Sequence, residues 1–199
     1  CLTFINCQLQ PKTKPASHSG SGAQMRAVTI SRQCGSGAFE VAGKLAERLQ
    51  SHSPKSAPPW TVFDRNLMEK VLEDHHLPKR LAKYLPEDRI SEVQDIMDDL
   101  FGIHPPAWTI VPQISETILD LAELGNVILI GRGGHVITAK LPDVLHVRLV
   151  GPLEKRIEHA QEFYRLTKKA ARDFVLREDR GRRRYLKKYF AADINDPLL

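Results

Sequence analysis

Cysteine is scarce in this chain: Cys1, Cys7 and Cys34 are the three thiols among 199 residues. So few, unevenly spaced cysteines exclude a disulfide framework and a cysteine-based metal site, and we expect a reducing, cytoplasmic setting. Long apolar runs are missing as well. The longest, Val127–Ile130, has the length of a strand, so the sequence predicts no membrane-spanning helix.

The composition, 42% hydrophobic and 27% charged, is that of a globular protein with one α/β domain and its own core. The first 24 residues differ from the rest, because residues 11–22 are rich in Ser, Gly and Pro. That composition predicts a disordered leader. We expect Met25 to be the natural start and residues 25–199 to form the folded domain.

Positive charge is concentrated near the end of the chain. Residues 165–188 hold eleven basic and three acidic side chains, a net charge of +8 in a chain whose total is +5. The remainder of the chain is therefore −3. A segment this basic must face an anion or open water.

Four short, β-branched segments bounded by loop residues predict strands; they are Ala27–Ser31, Trp60–Phe63, Asn126–Ile130 and Val144–Val150. Apolar residues recur with helical spacing in four further segments, Phe39–Leu49, Asp88–Phe101, Ile114–Leu124 and Pro152–Phe163. Strands that alternate with helices predict a parallel sheet covered by helices on both faces. The basic segment after the last strand is also expected to be helical.

The stretch Ser31–Glu40 has the strand–loop–helix order of a phosphate-binding loop. A helix N-terminus attracts phosphate because its first N–H groups have no partner within the helix. Against the standard motif G-x-x-x-x-G-K-[ST], Gly37 matches the last glycine, but Ala38 replaces the lysine and Arg32 the first glycine. Arg32 is then the nearest candidate for a phosphate-binding charge. On spacing alone, an ordinary strand–helix turn is an equal alternative.

Charged side chains also follow the second and third predicted strands, where ligands of parallel α/β sheets bind. Asp64 and Arg65 come directly after a strand, and Arg132 lies in the glycine-rich run Gly131–Gly134. We expect Asp64 and Arg65 to hold a nucleotide or orient a hydroxyl group, and Arg132 to bind a phosphate or carboxylate. A helix cap at Asp64 with a solvated Arg65, and a plain glycine turn, are the alternatives.

The centre of the basic segment, residues 177–185, combines arginines with two acids. On a helix, Arg180 and Arg184 are one turn apart, and Asp179 lies close to Arg182. Phosphoryl transfer is catalysed mainly by positioning and charge stabilisation, which an arginine-rich mobile lid supplies. A solvated helix face and a nucleic-acid-binding surface remain alternatives.

Taken in order, these pieces resemble the cytidylate kinase-like proteins, a branch of the P-loop nucleoside monophosphate kinases. The resemblance runs from about Met25 to the end of the chain. Its motifs are Ile30–Arg32 with Gly35–Gly37, Phe63–Arg65, Ile130–Gly133, Val147–Val150 with Pro152–Ile157, Asp179–Arg180 with Arg182 and Tyr185, and Asp196–Pro197.

The resemblance implies a three-layer P-loop NTPase fold with a parallel sheet, flanking helices and a basic helical lid. It implies transfer of the γ-phosphate of ATP, with Mg²⁺, to a nucleoside monophosphate. The expected ATP-binding residues are Arg32, Gly35, Ser36 and Gly37, the acceptor-binding residues are Asp64, Arg65 and Arg132, and the catalytic residues of the lid are Arg180, Arg182 and Asp179.

Three departures separate this chain from the family pattern. Ala38 stands where the classical enzymes have lysine and this branch usually has a second glycine, and Phe39 stands where the branch often has arginine. The last strand and helix of the family would lie beyond Leu199. A missing cation costs transition-state stabilisation. We therefore rank a CMP or dCMP kinase first, a catalytically weak pseudokinase that binds nucleotides or a partner second, and nucleic-acid binding last.

Overall fold

The computed structural model describes residues 25–64 and 107–196. The predicted leader, Arg65, the helix predicted at Asp88–Phe101 and the last three residues lie outside this described part. The described elements, in chain order, are β1 Ala27–Arg32, α1 Ala38–His52, β2 Thr61–Phe63, α2 Ala107–Leu124, β3 Val127–Ile130, α3 Gly134–Ile137, β4 Val144–Leu149, α4 Leu153–Tyr164 and α5 Lys168–Phe190.

The four strands form one parallel sheet in the order β2–β3–β1–β4. Ile30 of β1 is in register with Ile130 of β3, and Arg32 at the end of β1 with Leu149 at the end of β4. The predicted α/β class with an all-parallel sheet is therefore confirmed. Because the strands are parallel, the loops that follow them all leave from the same edge of the sheet.

Side chains alternate between the two faces of the sheet, as strand geometry requires. One face carries Val28, Ile30, Ile128 and Ile130, and α1 covers it through Ala42. The other face carries a second buried cluster, to which the sheet contributes Ala27, Phe63, Val127 and Leu129 and the helices α2 and α5 contribute Ile114, Ile118, Leu121, Tyr185 and Leu186. The architecture is therefore three layers, helix–sheet–helix.

Two helices depart from the sequence pattern. The helix predicted from Ile114 begins seven residues earlier, at Ala107, and runs through Pro112. Proline lacks the N–H that would bond to the carbonyl four residues before it, so the periodicity alone points to a later start. The short helix α3 is not predicted, since the glycine-rich run before it has no amphipathic pattern.

Two leucines of α2 provide a matched test of the core. Leu121 is 2% exposed and Leu124 is 46% exposed. Replacing Leu121 with alanine leaves a cavity, and we expect a loss of about 2–5 kcal/mol in the free energy of unfolding. Leu124→Ala makes the same chemical change at the surface and serves as the control. Chemical denaturation measures both, and equal losses would contradict the described packing.

Candidate functional site

Between β1 and β3 the connections change from one face of the sheet to the other, and we call the carboxyl edge at this point the crevice. The helix after β1 packs on one face, with Val28 and Ile30, whereas Val136 and Ile137 of α3, after β3, pack on the other face. Adjacent strands whose connections leave to opposite faces create the crevice in which ligands of such sheets bind. Arg32 is the last residue of β1, and Asp64 and Arg132 follow the ends of β2 and β3 at this edge.

The loop from Gln33 to Gly37 leads into the N-terminus of helix α1. Helix α1 begins at Ala38, and its N-cap Gly37 makes no side-chain capping bond. The first N–H groups of α1 are therefore directed out of the helix end, with its partial positive charge. The Ser36 hydroxyl donates to the carbonyl of Gln33 (2.8 Å), so this side chain closes the loop upon itself.

Gly35 allows the loop to pack closely against helix α4. Its φ is +76°, a conformation that side chains disfavour. A Cβ at this position would overlap the carbonyl oxygen of Arg156, a backbone atom inside α4. Gly35 is therefore required for close packing between the loop and α4.

An acidic residue of α5 binds the backbone of the same loop. The Cys34 N–H donates to Asp179 Oδ1 (2.7 Å), and Arg156 Nη1 donates both to the Cys34 carbonyl (3.1 Å) and to Asp179 Oδ2 (2.6 Å). Arg156 Nε donates in addition to the Gly151 carbonyl (3.1 Å). We call Cys34, Arg156 and Asp179 the loop clamp, because together they join the Gln33–Gly37 loop, α4 and α5.

Arg182 extends the loop clamp on its α5 side. Its Nη1 lies 3.4 Å from Asp179 Oδ1 and its Nη2 lies 3.4 Å from Glu178 Oε2. The Cys34 side chain is buried beside it, and burial raises the pKa of this thiol, while the nearby Arg182 guanidinium acts in the opposite direction. Arg182 therefore stabilises the acids next to the loop.

Arg180, predicted to act together with Arg182, has a different environment. It is exposed, and its Nε donates to the Leu176 carbonyl one turn earlier (3.3 Å). The structure thus brings Asp179 and Arg182 to the loop, while Arg180 points away from them along the helix surface.

Arg32 and Asp64 approach each other across the sheet edge. Arg32 Nη2 lies 3.4 Å from Asp64 Oδ1, and both side chains are more than two-thirds buried. The sequence assigned Arg32 to ATP and Asp64 to the acceptor. The ion pair brings the two side chains, which were predicted to bind different ligands, together at one point of the crevice.

Arg132 occupies an unusual position in the turn after β3. Its φ is +56°, a region that costs a non-glycine residue of order 1–3 kcal/mol, and the residue is only 9% exposed. The next residue, Gly133, lies against α5, since a Cβ there would be 2.9 Å from the Phe190 ring. The glycine-rich run therefore allows α5 to approach closely beside Arg132.

Sequence reasoning missed the contributions of Gln33 and Arg156 as site residues. Gln33 ties the loop to the end of β4, because its N–H donates to the Leu149 carbonyl (3.0 Å) and its Oε1 accepts from the Gly151 N–H (3.0 Å). Arg156 stood within a family motif, but its partner Cys34 is 122 residues away. No local pattern identifies a contact of that kind.

Within residues 25–64 and 107–196, no group of three His, Cys, Asp or Glu side chains is arranged to hold a metal ion. In the same part of the chain, no helix has the length and apolar character needed to cross a membrane.

The family model described as the cytidylate kinase-like family matches residues 27–199. The chain belongs to the cytidylate kinase-like family. This membership makes it a nucleotide kinase-like protein, and the predicted family resemblance is confirmed. No curated protein matches the chain.

A solved structure supports the fold of this family member. The crystal structure of an uncharacterized protein from Eubacterium ventriosum ATCC 27560 is similar to the chain with a TM-score of 0.61, over 87% of this chain and 84% of that one. The two share 18% sequence identity, so the likeness concerns the fold alone.

Two glycines of the first βα unit test the packing of the loop. Gly35→Ala forces a side chain into a left-handed conformation, which costs roughly 1–2 kcal/mol, and into the Arg156 carbonyl. We expect a loss of at least that size in the free energy of unfolding. Gly43→Ala is the control: it lies inside α1 with open space around it, and we expect a gain of about 0.5–1 kcal/mol. A stabilising Gly35→Ala would contradict the loop geometry.

Removing the acid of the loop clamp is expected to be costly. Asp179→Ala leaves Arg156, 8% exposed at its side chain, as a buried charge without its carboxylate partner, and breaking such a pair costs about 3–5 kcal/mol. Asp179→Asn retains an acceptor for the Cys34 N–H and should lose less. Glu158→Ala removes an exposed carboxylate paired with Lys155 and should leave stability unchanged. Urea denaturation ranks the three variants, and an equal effect of Asp179→Ala and Glu158→Ala would exclude the clamp.

Proposed function

We propose that this chain transfers the γ-phosphate of ATP to a nucleoside monophosphate, with CMP or dCMP as the acceptor. The observation that carries the proposal is the uncapped N-terminus of α1, preceded by the loop Gln33–Gly37 and placed at the crevice of the sheet. Family membership adds support for nucleotide chemistry. We expect the protein to act in the cytoplasm, where Cys34 stays a free thiol.

In this proposal the donor phosphates bind the backbone at Gly35, Ser36 and Gly37, and the Ser36 N–H would exchange its bond to the Gln33 carbonyl (3.3 Å) for phosphate. Ala38 offers no lysine charge, and the neighbouring Phe39 side chain is 62% exposed, so the positive charge has to come from arginines. Arg32 lies in the crevice and Arg182 lies beside the loop. Both are in ion pairs with 3.4 Å N–O distances, which an incoming phosphate, carrying more negative charge than one carboxylate, is able to exchange.

The acceptor nucleotide would lie on the β2–β3 side of the crevice, near Asp64 and Arg132. The buried guanidinium of Arg132 is suited to the acceptor phosphate, because a planar fork binds phosphate in a bidentate manner. Arg65 is assigned to the same side by its position after Asp64. Arg182 would stabilise charge on the transferred group, with Asp179 positioning the lid, whereas Arg180, exposed and bonded to the Leu176 carbonyl, takes no part in this proposal.

The residues near the loop fit Mg²⁺ held largely by the donor phosphates, as is usual for this ion. Glu40, in the first turn of α1, has a half-exposed carboxylate whose described ion-pair partner is His159 at 3.6 Å. Its oxygen would lie 3.6 Å from a Cβ built on Gly37. Glu40 is therefore the side chain that would hold the ion, which supplies charge neutralisation of the phosphates.

The second candidate is a nucleotide-binding module with little chemistry. The observation that favours it is the pairing of the two replacement cations: Arg32 with Asp64, and Arg182 with both Glu178 and Asp179. If phosphate does not displace these carboxylates, the nucleotide binds but the transition state lacks its cation.

The test is ADP release from ATP and Mg²⁺ with CMP, dCMP, UMP, AMP or GMP as the acceptor. We expect ADP with CMP or dCMP alone. We expect Arg132→Gly, which tolerates a positive φ while removing the guanidinium, to lower kcat/KM by at least about 100-fold. Arg26→Ala is the control, because Arg26 lies at the opposite edge of the sheet beside Asp143.

Failure of turnover would separate the candidates. A folded protein that is stabilised by ATP but forms no ADP with any acceptor would overturn the kinase proposal and support the nucleotide-binding module. Turnover with equal kcat/KM in wild type and Arg132→Gly would support the kinase proposal but show that Arg132 is not part of the active site.

A further inference from the structure

Four aromatic side chains form a continuous row of ring contacts where α4 passes into α5. His159 stacks on Phe163, with 6.0 Å between the ring centroids, and Phe163 meets the Tyr164 ring edge-on at 4.9 Å. Tyr164 in turn contacts Phe174 of α5 at 4.8 Å. Phe163 is 58% exposed, so the row lies at the surface. A contiguous exposed apolar surface, unlike a single exposed ring, indicates a binding surface.

The side of α4 that carries Phe163 is the side turned toward the loop before α1. Arg156, His159 and Phe163 follow one another at spacings of three and four residues, which places them on one side of a helix. The backbone of Arg156 lies against Gly35, and His159 Nε2 lies 3.6 Å from Glu40 Oε1 in the first turn of α1. Phe163 is the next residue on this side, about 10 Å along the helix axis from Arg156.

The charges of α4 favour a neutral ring as the ligand of Phe163. Glu162 precedes Phe163 in the chain and Glu158 lies about one turn earlier, and both acids are exposed. Carboxylates repel the phosphate groups of a nucleic acid strand. They do not repel a nucleobase, which is uncharged and has a π face that stacks on an aromatic side chain.

We propose that the base of the donor nucleotide stacks on Phe163 while its phosphates bind at the N-terminus of α1. This inference rests on the proposed function, because the phosphate site determines where the base can lie. The ribose separates the base of a nucleoside triphosphate from the phosphates, so the base needs a surface beside the loop and not within it. Phe163 supplies that surface on the α4 side. Stacking accepts every base, so the ring adds affinity without selecting adenine.

The experiment is calorimetric titration of the full chain with ATP and, separately, with inorganic tripolyphosphate. Phe163→Leu keeps an apolar side chain but removes the aromatic ring. We expect this variant to bind ATP at least about 5-fold more weakly, because it loses the stacking of the base. Tripolyphosphate has no base, so wild type and variant should bind it equally.

Two further variants serve as controls for the titrations. Phe163→Trp retains an aromatic face and should bind ATP within about twofold of wild type. Leu124→Ala removes an exposed apolar side chain at the end of α2, at the opposite edge of the sheet, and should leave both titrations unchanged. In the kinase assay we expect Phe163→Leu to raise the KM for ATP with kcat unchanged, because the base takes no part in phosphoryl transfer.

The two ligands separate failure of the stacking from failure of the proposed function. Equal ATP affinity in wild type and Phe163→Leu, with tripolyphosphate also bound, would overturn the stacking and leave the phosphate site intact. Equal losses of ATP and tripolyphosphate binding in Phe163→Leu would show that the ring acts only through the packing of α4. A folded wild type that binds neither ligand would overturn the proposed function and the stacking together.

Other occupants of the aromatic row would give different results. Phe39, in the first turn of α1, is 62% exposed, and a larger loss of ATP affinity in Phe39→Leu than in Phe163→Leu would move the base to α1. A wild-type dimer that Phe163→Leu converts to a monomer, at unchanged ATP affinity, would assign the ring to a second copy of the chain. A single-stranded oligonucleotide that binds more tightly than ATP, and that Phe163→Leu weakens, would assign it to nucleic acid.

Discussion

The Asp179 carboxylate is the contact on which the described site depends. It accepts the Cys34 N–H and the Arg156 guanidinium at 2.7 Å and 2.6 Å. Cys34 belongs to the Gln33–Gly37 loop, Arg156 to α4 and Asp179 to α5, so one carboxylate joins three segments of the chain. A buried guanidinium needs a carboxylate and several acceptors to offset its desolvation. Arg156 has these in Asp179, the Cys34 carbonyl and the Gly151 carbonyl. The position of α5 over the loop therefore follows from the need to satisfy Arg156.

The same arrangement would link phosphate binding at the loop to α5. A phosphate group at the N-terminus of α1 would compete for Arg182, which Asp179 and Glu178 now hold at 3.4 Å. Asp179 would keep its two shorter bonds to Cys34 and Arg156. Exchange at Arg182 thus changes one ion pair while the loop clamp stays intact. In the proposed kinase reaction this exchange would bring a cation to the phosphate, although the loop has no lysine.

Much of the fold follows from local sequence signals, and the clamp does not. Val28, Ile30, Ile128 and Ile130 are β-branched or apolar residues in short runs, and they form the predicted strands because both faces of a parallel sheet are buried. Arg32, Asp64 and Arg132 could be placed at one sheet edge because the strands that they end or follow are parallel. The Arg156–Cys34 contact arises from packing between α4 and the loop, for which Gly35 is required, and no periodicity encodes it. The extension of α2 through Pro112 was likewise missed, because tertiary packing overrides the local signal of proline to end a helix.

On helix α5, Arg182 lies on a different side from the exposed arginines, which the composition of the segment does not reveal. Its basic run reads in sequence as one feature, which leads to Arg180 and Arg182 being grouped as lid residues. On the helix they differ by two positions, or about 200° of rotation. Arg182 consequently joins the acids beside the loop, while Arg180 lies with Arg177, Arg183 and Arg184 on another, exposed side of α5. The positive excess of the chain, +8 over residues 165–188, is thus displayed largely on the outer face, since the inner one is neutralised by Glu178 and Asp179. An anion that approaches α5 from solvent meets the outer arginines, and one bound at the N-terminus of α1 meets Arg182.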